Sequence, residues 1–330
     1  MRRLTIIVAV LAALYSGYWF VGARAAENGA RSGIADAVAQ GWEVAFTDLS
    51  TRGFPSRFDT TVTELEIATP DRWLRYATPF AQVFALSYAP NEVIAALADR
   101  HDITLGQLPL TVTTDGLRAS ARVAANTELS FESATAEVGA MTVQIAQGPI
   151  LRLTSALAAS RQVPEAANTY QFYFEALGLT LPDAVMSLLA PNDDLSATMP
   201  RIAVDASAAF DAPLDRHALA QTRAISAVGV QSFDVQWGDM RLTGTGDVVP
   251  DARGYAEGKV TLQATNWRSI LGLLVNGGLV DPEVATTWEA MGDALSNEQP
   301  TLELPVSFSG GIARIGLFPI GPAPQLRKLP

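Results

Sequence analysis

Hydrophobic and polar residues alternate along most of the chain after residue 42. In residues 202–210, for example, Ile202 and Val204 occupy one set of alternate positions, whereas Asp205 and Ser207 occupy the other. A period of two predicts strands with one apolar and one polar face. Short Gly/Asp turns between such runs favour antiparallel meanders over βαβ units. Comparable runs lie at residues 62–67, 117–123, 233–242, 259–264 and 302–308.

Short helices are predicted between these strands. Asp183, Asp215 and Asn266 are good N-cap residues, and Asp281-Pro282 combines an N-cap with a proline at the first helical position. The predicted helices cover residues 90–97, 164–178, 183–189, 216–224, 267–275 and 282–296. The proline-rich tail, residues 319–330, is expected to run extended outside regular structure. The predicted fold class is therefore α+β and predominantly antiparallel β, with large amphipathic meandering sheets and short packing helices.

The N-terminal segment has the composition of a membrane span. Residues 4–21 carry no charge and follow Arg2 and Arg3. Eighteen helical residues extend about 27 Å, close to the thickness of a bilayer core. The two arginines place the N-terminus in the cytoplasm and the bulk of the chain in the periplasm. A cluster of aromatic residues, Tyr15, Tyr18, Trp19 and Phe20, fits the outer interface of a permanent inner-membrane anchor.

A cleaved signal peptide is the alternative, because Ala23-Arg24-Ala25 resembles a cleavage site and would release a soluble periplasmic protein. The predicted organisation is a signal anchor over residues 1–25, a juxtamembrane helix over 26–41 and a β-rich domain over 42–330. Gly41 is expected to end the juxtamembrane helix. A helical segment near 160–190 is a candidate boundary between two halves of the β-rich domain.

Composition excludes several kinds of function. The net charge of −11 disfavours binding to nucleic acid. The chain has no cysteine, which rules out disulfides, thiolate metal sites and cysteine nucleophiles, and suits the periplasm. With 48% hydrophobic residues, its 330 residues are sufficient for a substantial core.

Few residues offer catalytic or ligand-binding chemistry. His101 is expected to cap the C-terminus of the helix at 90–97, and His217 to be a neutral structural residue in the first turn after Asp215. Residues 192–194, Asn-Asp-Asp, are interpreted as a solvated loop or, alternatively, a cation site. Residues 244–246, Gly-Thr-Gly, lack the third glycine of a dinucleotide fingerprint. The sequence therefore predicts no cofactor, no metal and no enzymatic activity, although two acids that meet in space would still permit a hydrolase.

Aromatic residues on the predicted apolar faces have two interpretations. They either fill a closed core or line a groove for an apolar ligand, and the sequence does not separate these alternatives. The residues concerned are Phe233, Trp237, Trp267, Trp288 and Phe308.

A tight corner at residues 51–59, Thr-Arg-Gly-Phe-Pro-Ser-Arg-Phe-Asp, precedes the first long alternating run. Gly53 permits a sharp turn, and Pro55 fixes φ at the start of a strand. Phe54 is expected to pin the corner onto the core or, as the alternative, to gate a ligand. Arg57 is expected to face solvent or to cap carbonyl groups or an acid, and Phe58 to face the interior of the sheet.

The segment from Gly53 to Phe58 resembles the "G-F/Y-P-x-R" signature of an uncharacterised alphaproteobacterial family, domain-of-unknown-function family 2125. Other motifs agree in order along nearly the whole chain. Those with candidate roles are Gly53, Phe54, Pro55, Arg57, Trp237, Gly238, Asn266 and Trp267; segments 18–19, 89–91, 212–216, 254–258 and 316–322 accompany them. The resemblance implies a mostly β periplasmic protein tethered to the inner membrane, with these residues in structural roles and no assigned activity.

The pattern is also similar, more loosely, to AsmA-like envelope proteins, which are associated with lipid handling and outer-membrane assembly. Such fold-level analogy alone does not establish function. The leading hypothesis is a non-enzymatic protein, held in the inner membrane by residues 4–21, that binds an apolar ligand such as lipid or acts in envelope maintenance. The alternatives are a scaffold for a protein partner and, less favoured, a hydrolase.

Overall fold

A single α-helix, α1 (Arg2–Ala39), contains both the predicted anchor and the predicted juxtamembrane helix. The computed structural model describes residues 1–146, 148, 150–166, 168–191, 195–218, 223–296 and 301–327. Within these ranges, α1 is the one helix long and apolar enough to cross a membrane. Gly41 follows its C-terminal end at a φ of +92°, a conformation that favours glycine.

Strands make up most of the remaining described chain, and three short helices interrupt them. The fold-class prediction, predominantly antiparallel β with short helices after an apolar N-terminal helix, is confirmed. The elements after α1 are β1 (Glu43–Ala45), β2 (Asp48–Arg52), β3 (Arg57–Ala68), β4 (Leu74–Leu86), β5 (Ala89–Leu97), β6 (Arg100–Leu105), β7 (Leu108–Thr114), β8 (Arg118–Val123), β9 (Phe131–Val138), β10 (Met141–Ile145), β11 (Ile150–Leu153), β12 (Ser155–Gln162), β13 (Thr169–Thr180), α2 (Asp183–Leu189), β14 (Thr198–Phe210), β15 (Ile225–Trp237), β16 (Met240–Pro250), β17 (Ala256–Thr265), α3 (Trp267–Asn276), α4 (Pro282–Ser296), β18 (Thr301–Ser309), β19 (Ile312–Ile315) and β20 (Phe318–Pro322).

The chain forms two compact units. The first contains residues 1–125 and 136–148, and the second contains residues 126–135 and 149–330. The segment 160–190 therefore lies within the second unit.

In the first unit, β2, β3, β4, β5 and β8 pair in that order, all antiparallel. Paired residues share a face of the sheet, so the register defines an apolar face with almost no charge. Its members are Leu49, Phe58, Thr60, Val62, Ala81, Val83, Ala85, Val93, Ala95, Ala119 and Ala121. Helix α1 contacts β1, β2 and β3, and so covers only one side of this face.

In the second unit, strands β12 to β20 form a meander in which each strand pairs with the next. One face carries polar ladders: Arg201 pairs with Glu175 at 2.8 Å and with Asp234 at 3.0 Å. The other face is apolar from Phe174 through Val204 to Phe233. Helices α3 and α4 pack on the far part of this apolar face, against Ala264, Leu302, Leu304 and Val306.

Three short helices agree with the predictions, namely α2, α3 and α4. Their caps differ in detail: Pro182 rather than Asp183 precedes α2, and Asn266 makes no side-chain cap bond. For the predicted helix at 216–224, the structure has a turn at 216–218, where Asp215 accepts the His217 amide at 2.8 Å. Residues 219–222 lie outside the described residues.

Two predicted helices are wrong. Residues 90–97 belong to β5, where pairing on both sides with β4 and β8 outweighs the local helical pattern. Residues 169–178 of the predicted helix at 164–178 belong to β13, in which Tyr170, Phe172 and Phe174 alternate at the strand period. The proline-rich tail was expected to lack regular structure, yet Phe318–Pro322 pairs with β19 as an edge strand.

Candidate functional site

The corner between β2 and β3 is built around Gly53. Its φ of +108° favours glycine, and a Cβ there would lie 2.8 Å from the carbonyl oxygen of Arg57. The Arg57 amide donates to the Gly53 carbonyl oxygen at 3.0 Å and closes the turn. A second turn, between β4 and β5, lies beside it, because the Ser87 amide donates to the Ser56 carbonyl oxygen at 2.9 Å. Residues 53–57 and 86–88 are called the docking corner below.

Three aromatic residues of α1 donate hydrogen bonds to this docking corner. The Trp19 indole Nε1 donates to the Arg57 carbonyl oxygen at 2.8 Å. The Tyr15 hydroxyl donates to the Pro55 carbonyl oxygen at 3.0 Å, and the Tyr18 hydroxyl donates to the Ser87 carbonyl oxygen at 2.5 Å. These bonds satisfy carbonyl groups that a turn otherwise leaves to water. The aromatic cluster at the end of the apolar segment is thus attached to the docking corner.

Packing of aromatic rings also stabilises the contact between α1 and the docking corner. The Trp19 ring is buried and meets the Phe54 ring edge-on, with centroids 5.4 Å apart. Phe58 is buried against Trp19 and Ala23. Gly22 makes this approach possible, because a Cβ at that position would lie 2.5 Å from Cζ of Phe58. Close contact between α1 and the sheet therefore depends on a glycine in the helix.

The predicted roles in this motif are placed as follows. Phe54 contacts Trp19 and Phe20 of α1 and remains 53% exposed, so its ring lies on the helix rather than in a sheet core. Arg57 is exposed and pairs with Asp59 at 2.9 Å. Phe58 is buried. The sequence contained a signal for the helix contact, because aromatic residues cluster both in α1 and in the corner, but nothing in the pattern paired the two clusters.

Beyond the corner, α1 separates from the sheet and leaves an apolar groove of about 530 Å³. Small residues of one helix face, from Gly22 to Ala30, form one wall. The apolar face of β3, β4 and β5 forms the other wall. Among the residues that the structure describes, no charged side chain lines the groove. The lining residues are Tyr18, Gly22, Ala25, Ala26, Ala30, Phe58, Thr60, Val62, Ala81, Val83, Ala85, Pro90 and Val93.

The other motif residues meet in the second unit. Trp237 is buried, and its Nε1 donates to the Ser196 carbonyl oxygen at 2.6 Å. The Asn266 side-chain amide donates to the Asp239 carbonyl oxygen at 2.9 Å, which joins the β15–β16 turn at Gly238 to the start of α3. Trp267 is buried under α4, where a Cβ on Gly292 would lie 2.5 Å from its ring. These contacts fit a packing role for this half of the motif.

Part of the apolar face in the second unit is also open. Phe172 and Phe174 on β13 are exposed, and Val204 and Phe233 beside them are half-buried. Trp267 and Trp288, in contrast, pack where α3 and α4 cover the sheet, and Trp237 is buried beside Ser196. The aromatic residues singled out in the sequence therefore lie mainly in the closed part of this face.

One of the two histidines departs from its predicted setting. His101 lies on β6, so the prediction of a helix cap is wrong. Its side chain is buried, its Nδ1 lies 3.0 Å from the Tyr76 hydroxyl, and its Nε2 has no hydrogen-bond partner. Burial lowers the pKa of His101, although Asp99 and Asp102 oppose this effect. His217 is exposed, with Nε2 3.4 Å from a Glu128 carboxylate oxygen.

Among the described residues, no group of three or more His, Cys, Asp or Glu side chains could hold a metal ion. The candidate cation loop at 192–194 lies outside the described residues. Residues 244–246 lie within β16, where a Cβ on Gly246 would approach the Lys259 carbonyl oxygen to 2.3 Å, so close strand packing accounts for that glycine. The predicted lack of enzymatic activity stays a prediction.

A protein-family model described as "Uncharacterized protein conserved in bacteria (DUF2125)" matches residues 19–324. The chain belongs to this family. The family match begins at Trp19, the residue whose indole binds the docking corner. No curated protein and no solved structure shows significant similarity to the chain. The looser similarity to AsmA-like envelope proteins has no support in these comparisons.

Proposed function

We propose that this DUF2125 member is a membrane-anchored protein of the bacterial envelope that binds an acyl chain of a lipid in the groove between α1 and strands β3–β5. The observation that carries the proposal is the composition of that groove. It has a volume of about 530 Å³, within the range typical of small-molecule sites. In the described part of the chain, the lining of the groove contains no charged side chain, and its hydroxyl groups belong to Tyr18 and Thr60.

Such a lining selects for hydrocarbon. A charged or sugar-like ligand would lose its water without gaining enough polar partners, at a cost of several kcal/mol. An alkyl chain has no hydrogen bonds to water to lose, and its burial is favourable by about 0.8 kcal/mol for each CH₂ group. The small side chains of Ala25, Ala26 and Ala30 leave the space between helix and sheet open.

The groove also begins where the apolar segment ends. Tyr18 at one end belongs to the uncharged stretch 4–21, whereas Ala30 at the other end lies beyond Arg24 and Glu27. Twelve helical residues separate Tyr18 from Ala30, which corresponds to about 18 Å. A lipid could therefore enter from the bilayer without passing through water.

Several observations support a retained anchor. Trp19 and Ala23 are buried against Phe58, and cleavage after Ala25 would remove both. The same cleavage would remove the three aromatic donors to the docking corner. Arg2 and Arg3 before the span favour a cytoplasmic N-terminus, which would leave both β-rich units in the periplasm.

The open part of the apolar face in the second unit has the same chemistry. Phe172 and Phe174 present apolar area to solvent on β13. Large contiguous apolar patches on a protein surface mark interaction sites or ligand-binding grooves. The second unit, like the first, therefore has a surface suited to binding apolar molecules.

Lipid that co-purifies with the full chain tests the proposal. The experiment compares the wild type with Ala26→Leu, which fills the groove, and with Ala35→Leu, which adds the same volume on the opposite, exposed side of α1. Native mass spectrometry in detergent, followed by extraction, gives lipid bound per chain. We expect one tightly held lipid in the wild type and in Ala35→Leu, and at least a fivefold loss in Ala26→Leu. Equal lipid content in all three proteins would contradict the proposal.

A further inference from the structure

The contacts of α1 set the depth of the docking corner relative to a membrane. If the span starts at Leu4, Tyr15 lies about 17 Å along the helix and Trp19 about 23 Å. A bilayer core is about 30 Å thick. Even if the charged residue Arg2 lies at the inner boundary, Tyr15 would lie only about 20 Å along the helix. Tyr15, however, already donates a hydrogen bond to the Pro55 carbonyl oxygen.

The β-rich unit therefore meets the anchor before the anchor has left the bilayer. We propose that the docking corner is seated in the outer leaflet of the membrane, with Phe54 and Tyr88 in contact with lipid. This inference rests on the part of the proposed function that makes α1 a transmembrane anchor. The partner is the lipid bilayer itself, and the surface is continuous with the span through Phe20 and Val21, both of which are exposed.

The backbone of the docking corner suits such a position. Turns are excluded from hydrocarbon because each unpaired carbonyl or amide costs several kcal/mol there. In this turn pair, the carbonyl oxygens of Gly53, Pro55, Ser56, Arg57 and Ser87 all accept hydrogen bonds. Three of the donors come from Tyr15, Tyr18 and Trp19 of the anchor itself.

The side chains of the docking corner also suit a position in the outer leaflet. Phe54 is 53% exposed and Tyr88 is 73% exposed. The Ser87 side chain between them is fully buried and bonded to the Tyr15 hydroxyl at 2.9 Å. Arg52 and Arg57 are exposed beside the turn, where long basic side chains can reach lipid head groups. Aromatic residues with basic neighbours are the usual composition of a membrane interface.

Trp73 offers a matched control. It is 59% exposed and precedes β4, whereas the docking corner follows the other end of that 13-residue strand. A strand of this length separates its ends by about 40 Å. Trp73 should thus lie in water when Phe54 lies in lipid. The absence of cysteine makes single-cysteine labelling straightforward.

The test labels Phe54→Cys, Tyr88→Cys, Trp73→Cys and Leu11→Cys full-length chains with an environment-sensitive fluorophore, in vesicles of phosphatidylethanolamine and phosphatidylglycerol. Spin-labelled lipids quench probes in the bilayer, and iodide quenches probes in water. We expect spin-labelled lipids to quench the probes at positions 11, 54 and 88. Iodide should quench the probe at position 73 at least fivefold more strongly than the probes at those three positions. Tyr88 makes no ring contact with α1, so position 88 reports on seating even if the Phe54 variant disturbs folding.

Strong iodide quenching at positions 54 and 88, with position 11 still quenched by lipid, would overturn the seating and leave the anchor intact. Iodide quenching at position 11 as well would overturn the anchor and, with it, the seating. The Ala26→Leu experiment measures lipid in the groove and does not depend on the quenching results. Lipid binding in the groove and seating of the docking corner can therefore be contradicted separately.

Discussion

The indole Nε1 of Trp19 donates a hydrogen bond of 2.8 Å to the carbonyl oxygen of Arg57. This bond joins α1 to the docking corner. It explains the aromatic residue at this tight turn, because the turn binds the helix and the Phe54 ring packs against the Trp19 ring.

Loss of this bond should destabilise the first unit. Trp19→Phe keeps an aromatic ring but leaves the Arg57 carbonyl without the indole donor. We expect the free energy of unfolding to fall by about 1–3 kcal/mol. Denaturant unfolding in detergent micelles, followed by circular dichroism, measures the change. Trp73→Phe is the control, with an expected effect within about 0.5 kcal/mol because Trp73 is exposed. Equal effects of the two substitutions would contradict this account.

Two glycines of α1 should respond in opposite directions to alanine. At Gly22 the added Cβ would lie 2.5 Å from the Phe58 ring, so Gly22→Ala should cost about 1–3 kcal/mol through overpacking. At Gly29 nothing lies within 4 Å, so Gly29→Ala should stabilise the helix by about 0.5–1 kcal/mol. The same unfolding assay separates the two. A stabilising Gly22→Ala would show that α1 does not pack against Phe58 as described.

A second pair of glycine substitutions tests how α4 packs on the second unit. Gly292 of α4 lies against the buried Trp267 ring, with a Cβ position 2.5 Å from Cη2. We expect Gly292→Ala to lower the melting temperature by several degrees, because neither the ring nor the helix can move freely. Gly272→Ala in α3 has open space around its Cβ and should leave the melting temperature unchanged or raise it. Similar melting of both variants would mean that α4 does not cover Trp267.

The sequence predicted the period of the strands well, because a one-sided sheet shows its alternation directly, as at Ile202 and Val204. The sequence-based prediction failed where a short segment fits both the helical and the strand period. The segment 90–97 has a helical pattern, but Glu92 on β5 pairs with Arg122 on the neighbouring strand β8, a contact that only the tertiary fold supplies. For the site, the sequence identified Gly53 and Phe54 as notable. The partner of Phe54 lies more than thirty residues away in α1, and local pattern carries no information about such a pairing.

Stability should depend on pH through His101. Burial lowers its pKa in the folded protein, while the unfolded chain keeps a value near 6.5. Below about pH 6.5 the unfolded state therefore binds a proton that the folded state does not, and the free energy of unfolding falls as pH falls. The fall is at most about 1.4 kcal/mol per pH unit for one proton.

Unfolding curves at pH 7.5, 6.5 and 5.5 measure this dependence. In His101→Gln, which has no titrating ring, the fall between pH 6.5 and 5.5 should be clearly smaller than in the wild type. His217→Gln is the control, because His217 is exposed on a turn. If His101→Gln retains the full wild-type slope, another group must be responsible.

The central claim, that the groove holds a lipid chain, is tested most directly by site-specific photocrosslinking in cells. A benzophenone amino acid replaces Val83, which lines the groove and is 42% exposed, or Ile94, which is 53% exposed on the opposite face of the same sheet. Mass spectrometry of the purified full-length chain then identifies the adducts. We predict a phospholipid or fatty-acyl adduct at position 83 and none at position 94. Lipid adducts of equal yield at both positions, or none at position 83, would contradict the claim.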